Sequence, residues 1–283
     1  MEEHLTDGQK VSRRDLLKLA GKAAGVVSAG ILAACGKNPV GGTGETSGGR
    51  QEIGSAAGQG RLLARPAPRA SGTTVETALR PLGLGSDRDG LLYVPAGYRA
   101  TGKAPLALTL HGSGGDARSG ISHFLDLADE FGLVLLSPES RGRTWDVLVG
   151  GYGPDVAFIN RALEQTFDHL SVDPGRLAIT GFSDGASYAL SLGLTNGDLF
   201  SHLIAFSAGF MAPAARRGRP PIFVSHGTRD KVLPIEATSR RIVPRLRRMG
   251  YGVRYREFDG LHAVPKPVAR EALEWFTTDR GTP

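Results

Sequence analysis

The chain of 283 residues is poor in features that would settle its class at once. It has one cysteine, Cys35, so no internal disulfide can form and the fold must rest on buried apolar surface. It has no long uninterrupted apolar run: Leu19 to Ala34 is only mildly hydrophobic, is broken by Lys22, and is short for a bilayer about 30 Å thick. Charge of one sign does not dominate, since 34 Lys and Arg face 28 Asp and Glu for a net +6. Arginines do cluster, at Arg216, Arg217 and Arg219 and again at Arg240, Arg241, Arg245, Arg247 and Arg248. No nucleic-acid motif accompanies them, so they read as a solvated loop and the outer face of a helix, with no nucleic acid as partner. His111, His226 and His262 do not form a zinc spacing, and the glycines at 112–115 lack the lysine of a phosphate-binding loop. The expectation is therefore no metal and no cofactor. No internal repeat is visible.

What is present divides the chain into three. Ser12-Arg13-Arg14-Asp15-Leu16-Leu17-Lys18 precedes the weakly apolar stretch, which ends in small residues. A charged start, a short apolar middle and small residues before a cut describe an export signal. The paired arginines resemble a twin-arginine signal, and Leu32-Ala33-Ala34-Cys35 resembles a lipobox. That likeness implies a lipidated Cys35, a membrane reached through the lipid, and a location in the bacterial envelope outside the cytoplasm. Residues 36–75 are rich in Gly, Ser, Thr and Ala and read as a flexible tether. Residues 76–283 form the remaining domain.

Within that domain short apolar runs alternate with helical patterns. Runs at 91–94, 105–110, 133–136, 176–180, 203–206, 222–225 and 252–258 read as strands. Segments 118–131, 154–170, 186–194, 236–249 and 267–278 read as helices. Several strands are apolar throughout, as strands buried on both faces must be. The expected architecture is α/β, a mainly parallel doubly wound sheet with helices on both faces and its site beyond the C-terminal strand ends.

The chemistry-bearing motifs fall at those ends. Gly181-Phe182-Ser183-Asp184-Gly185 lies between an apolar strand and a helix, where a serine on a sharp turn projects its Oγ from the sheet. His111-Gly112-Ser113-Gly114-Gly115 follows the second strand, and its backbone amides suit an oxyanion hole. The first donor is expected from Ser113 or Gly114 and the second from Asp184, with His111 bracing the turn. Asp230 follows the strand at 222–225, and His262 lies between the last strand and the last helix. The order Ser183, Asp230, His262 suits nucleophile, acid and base. His226 is a weaker base candidate. Asp259 stands too near His262 in sequence to approach its ring from the usual side, though it stays open as the acid. Asp184 reads as a helix N-terminal acid.

Taken together, residues 88–278 resemble the α/β-hydrolase superfamily. The likeness is greatest to its phospholipase/carboxylesterase and polyhydroxybutyrate depolymerase-like (feruloyl esterase type) groups. It rests on Leu92-Tyr93-Val94-Pro95, the two glycine motifs, His226-Gly227-Thr228-Arg229-Asp230 with Val232 and Pro234, and Gly260-Leu261-His262. Two features depart from the depolymerase-like groups: Ala186 follows Gly185, and there is no cysteine pair. The likeness implies a serine esterase acting on small-molecule or polymer-derived esters. Trp145, Tyr152 and Phe182 are expected to line an acyl or aryl pocket, with core packing the alternative for Trp145, which follows the third strand and its exit loop. A peptidase with the same triad, or a non-catalytic envelope binding protein of the same fold, are the alternatives. Substrate and oligomeric state are not legible at this level.

Overall fold

The structure, a computed structural model, describes residues 54–67, 75–85 and 87–279. The twin-arginine segment, Cys35 and residues 36–53 and 68–74 lie outside the described residues. Eight strands form one sheet in the order β1-β2-β4-β3-β5-β6-β7-β8. They are β1 (Leu79–Pro81), β2 (Gly90–Tyr93), β3 (Ala104–Leu110), β4 (Val134–Pro138), β5 (Val172–Phe182), β6 (His202–Phe206), β7 (Ile222–Gly227) and β8 (Val253–Phe258). From β4 across to β8 every pairing is parallel; β1 and β2 run antiparallel at one edge.

Side-chain alternation along the central strands feeds two cores. Leu106, Leu108 and Leu110 of β3 face one, with α2 (Pro154–His169), α3 (Asp184–Thr195) and α4 (Ser239–Arg248). Ala107 faces the other, with α1 (Ala117–Leu125) and α5 (Lys266–Thr278). Helices on both faces bury the strands fully, which is why those strands are continuous apolar runs. The expected doubly wound architecture is the one observed.

Some boundaries differ from the sequence pattern. The helix expected over 118–131 ends at Leu125, and the chain continues in turns to Gly132, whose positive φ of 58° suits glycine. The helix expected over 236–249 splits into a 3₁₀ turn, Ile235–Ala237, and α4, because Thr238 takes a non-helical conformation between them. Strand β1 has no counterpart among the expected strands: three residues carry too little pattern to be recognised.

The expected tether over 36–75 needs a larger correction. Residues 54–58 form a helical turn, and the segment through 67 packs on the domain. Ala57, Leu62 and Ala64 are buried in the α2–α3 core. Asn160 Oδ1 accepts the N–H groups of Leu63 and Ala64 at 2.7 and 2.9 Å, and Asn196 Oδ1 accepts that of Leu62 at 2.9 Å. Asn196 Nδ2 returns a bond to Gly60 O at 2.7 Å, and Arg61 forms a two-pronged ion pair with Asp198. Gly- and Ser-rich composition concealed this, because three small or apolar side chains at the right spacing suffice once two asparagines satisfy the backbone.

Candidate active site

Ser183 sits between β5 and α3 with φ 58° and ψ −119°, a strained conformation for a non-glycine residue. The flanking glycines explain how the turn closes. A Cβ on Gly181 would lie 2.4 Å from the carbonyl carbon of Gly185, and one on Gly185 would lie 2.2 Å from Leu110 O. Only hydrogen fits at either position. The Ser183 N–H donates to Phe206 O at 3.0 Å, tying the turn to β6. Helix α3 begins immediately after Ser183, so the N–H groups of its first turn and its dipole favour negative charge at that end.

Three side chains from three separate loops meet at this point. His262 Nε2 accepts the Ser183 hydroxyl at 2.9 Å, and His262 Nδ1–H donates to Asp230 Oδ2 at 2.6 Å. The carboxylate acceptor sets the tautomer and leaves the Nε2 lone pair facing the serine. Asp230 is held from every side: its Oδ1 accepts the N–H groups of Val232 and Leu233, both at 2.8 Å. Burial works against its ionisation, but the Leu233 N–H and the His262 bond outweigh it, and the carboxyl lies below its ordinary value. Asp259, the rival acid, is exposed and paired with Arg229.

His226 also belongs to this group, though not as a base. It is fully buried, its Nε2–H donates to Leu233 O at 2.8 Å, and its Nδ1 accepts the Ser239 hydroxyl at 2.6 Å. Burial lowers its pKa and keeps it neutral. Gly227 lets the loops meet, because a Cβ there would lie 2.3 Å from Leu261 O. Neither role was readable from the sequence, since both depend on the Asp and His loops touching.

The glycine-rich turn lies across from the serine, and a Cβ on Gly112 would be 3.5 Å from Ser183 Cβ. His111 braces it as expected: buried, it shares a 2.7 Å hydrogen bond between Nδ1 and Gly112 O, and its Nε2 accepts the Ser140 N–H at 3.0 Å. Gly114 is corrected as an oxyanion donor, because its N–H is already given to Arg143 O at 2.8 Å. Ser113 lies on that same turn, and Asp184 opens α3 immediately after the serine.

The expected pocket residues separate. Phe182 stays at the site, its ring 4.5 Å from that of His262. Trp145 does not: it is wholly buried, stacks on Tyr188 at 5.0 Å and donates Nε1–H to His111 O at 2.9 Å. Composition gives no way to distinguish a pocket tryptophan from a core one. Tyr152 is also displaced. Its hydroxyl donates to Ala212 O at 2.9 Å, and Ala212 N–H is bound to Ser191. Ser191 lies eight residues past Ser183 along α3, about 12 Å at the helical rise. The Tyr152 ring instead abuts Gly60 of the packed N-terminal segment.

Comparisons with known proteins agree with this architecture. Residues 156–268 match a family model described as Phospholipase/Carboxylesterase. A probable feruloyl esterase C of Aspergillus flavus is 27% identical over 159 residues, covering 53% of this chain and 58% of the relative. The chain thus spans under three-fifths of that relative's length. Among solved structures, a ferulic acid esterase of Anaeromyces mucronatus superposes with a TM-score of 0.56 at 18% identity, over 78% of this chain and 99% of that one. Esterase PE8 does so with a TM-score of 0.54 at 24% identity, over 66% and 96%. The sheet order, the strand–turn–helix carrying Ser183 and these likenesses together identify the fold of this chain as that of the α/β-hydrolases.

Proposed function

We propose that this chain is a serine hydrolase of carboxylic esters. The observation that carries the reading is the continuous hydrogen-bonded line from Ser183 Oγ through His262 to Asp230. In the reaction, Ser183 Oγ attacks the ester carbonyl carbon while its proton passes to His262 Nε2. The carbonyl π electrons move to oxygen, and the N–H groups of Ser113 and Asp184 receive that alkoxide, each such donor contributing about 2.7–4 kcal/mol. Collapse expels the alcohol, protonated from His262, and leaves an acyl-serine. Water attacks the acyl carbon with His262 as base, releasing the acid and restoring Ser183. Asp230 holds the imidazole in the required tautomer throughout.

The substrate class favoured is a phenolic-acid or other aromatic ester. Relatives bear feruloyl esterase names, and Phe182 beside His262, with exposed Val232 and Leu261 next to the acid and base loops, gives the site an apolar side. The chain is further proposed to be exported on its twin-arginine segment and held in the bacterial envelope by lipid on Cys35, a reading supported by the motif alone.

Two experiments test these readings. The purified chain is treated with a fluorophosphonate and assayed on methyl ferulate, p-nitrophenyl acetate and the matching anilides, beside Ser183→Ala. Labelling and ester turnover that both vanish in Ser183→Ala are expected; an active chain indifferent to that change, or no labelling at all, refutes the esterase. For the anchor, incorporation of a palmitate analogue should disappear in Cys35→Ala, and persistent labelling excludes that cysteine.

A further inference from the structure

Three consecutive residues of the loop between β4 and α2 each make one hydrogen bond to the structures flanking the serine. Arg143 O accepts the Gly114 N–H at 2.8 Å. Thr144 Oγ1–H donates to Asp184 Oδ2 at 2.7 Å. Trp145 Nε1–H donates to His111 O at 2.9 Å. Two of these bonds go to the glycine-rich turn and one to the residue after the nucleophile. Ser113 and Asp184, the two oxyanion donors, belong to separate parts of the chain and share no direct hydrogen bond among those described. The 143–145 segment is what spans them.

The segment is itself clamped. Asp155, at the start of α2, accepts the Arg141 N–H on Oδ1 and the Asp146 N–H on Oδ2, the latter at 2.7 Å, so one carboxylate grips both ends. Asp146 reciprocates, taking the N–H groups of Gly153 and Asp155 at 2.8 and 3.0 Å on one oxygen and the Tyr188 hydroxyl at 2.9 Å on the other. Tyr188 lies on α3, the helix that begins behind Ser183, and stacks on Trp145. Two buried carboxylates costing desolvation are kept where they immobilise a single six-residue stretch.

We propose that Thr144 is a positioning residue for the oxyanion hole, setting the separation of the Ser113 and Asp184 donors through its bond to the Asp184 side chain. This rests on the esterase reading. The bond reaches Asp184 without touching Ser183, His262 or Asp230, so its loss acts on the charge developed in the transition state and leaves the nucleophile and base intact. Misplacement by a fraction of an ångström is enough to matter, since an error near 1 Å can cost about 100-fold.

The test uses the full chain with Thr144→Val, which keeps shape and deletes the hydroxyl, Thr144→Ser, which keeps the hydroxyl, and Thr144→Ala as a second deletion. Expected for Thr144→Val is a fall in kcat of about tenfold or more, with KM within a factor of two. Affinity for a reversible aryl boronic acid, which forms a tetrahedral adduct on the serine, should fall in the same proportion, and Thr144→Ser should recover most of both. Fluorophosphonate labelling of Ser183 should persist in every variant, so a failed esterase reading is recognised separately by an inactive, unlabelled wild type. Unchanged kcat in Thr144→Val and Thr144→Ala overturns the proposal. So does a kcat loss without loss of boronate affinity, or one that tracks a fall in Tm and is not recovered by serine.

Discussion

His226 and His262 converge on the same oxygen of one carboxylate: Asp230 Oδ2 lies 3.1 Å from His226 Nε2 and 2.6 Å from His262 Nδ1. One imidazole is wholly buried with both nitrogens occupied by protein groups, and the other presents its free side to Ser183. The two histidines differ in environment, and that difference separates their roles.

Replacing the shared acceptor and replacing the buried donor should therefore have unequal consequences. Asp230→Asn offers His262 the wrong partner and should lower kcat by about 10⁴-fold, as loss of the tautomer-setting carboxylate does in such triads. His226→Gln removes a neutral ring that packs 3.1 Å from Asp230 Oδ2 and is bonded to Leu233 O and Ser239, and it should cost far less in kcat while lowering Tm. Steady-state kinetics on p-nitrophenyl acetate decide it; equal losses would make His226 part of the reaction.

The elbow glycines set a steric limit. Gly185→Ala would force a Cβ to within 2.2 Å of Leu110 O and 2.5 Å of His111 O, both rigid backbone. Overpacking of this kind costs about 1–3 kcal/mol and occasionally more, and here it would also displace the glycine-rich turn. Loss of soluble protein, or a depressed Tm with loss of Ser183 labelling, is expected. A variant with wild-type Tm and turnover would show that the turn is looser than described.

The N-terminal segment 54–67 is a part of the folded domain. Leu62→Ala empties a fully buried site and should destabilise by about 2–5 kcal/mol. Asn196→Ala should also destabilise, leaving the Leu62 N–H and Gly60 O without partners. A chain started at residue 76 should unfold at lower denaturant than one started at 50. Coincident urea curves would return this segment to the tether.

Stability should fall on acidification, and His202 offers a way to measure why. Its ring is buried edge-on against Trp275 and Phe276, and its Nε2 has no hydrogen-bond partner among the described residues. Burial holds its pKa down at about 4 against an ordinary 6.5. Between those values the unfolded chain binds the extra proton, so folding stability is lost as pH falls through about 6.5 towards 4. Asp155, raised by burial to about 6, works in the opposite direction over part of this range. His202→Phe should therefore lose less stability between pH 7 and 4.5 than the wild type does, by urea denaturation at each pH. Equal losses would discount this histidine.

The sheet, its parallel strands and the three residues of the proposed triad were readable in the chain alone. Continuous apolar runs report burial on both faces, and a serine between two obligatory glycines reports a turn that only one backbone path can close. The order Ser183, Asp230, His262 then followed from motif and strand position. Other roles required the fold. Trp145 and Phe182 are both aromatic residues near a strand end, yet one is enclosed in the core and the other packs on the base ring. Gly114 and Ser113 are adjacent in one turn, and only the position of Arg143 O shows which N–H is already bound. Thr144 carries no local signal at all, since its partner stands 40 residues away. Local sequence determined which elements and reactive side chains form. Tertiary structure decided which donors remain free, because that depends on contacts between loops that share no pattern along the chain.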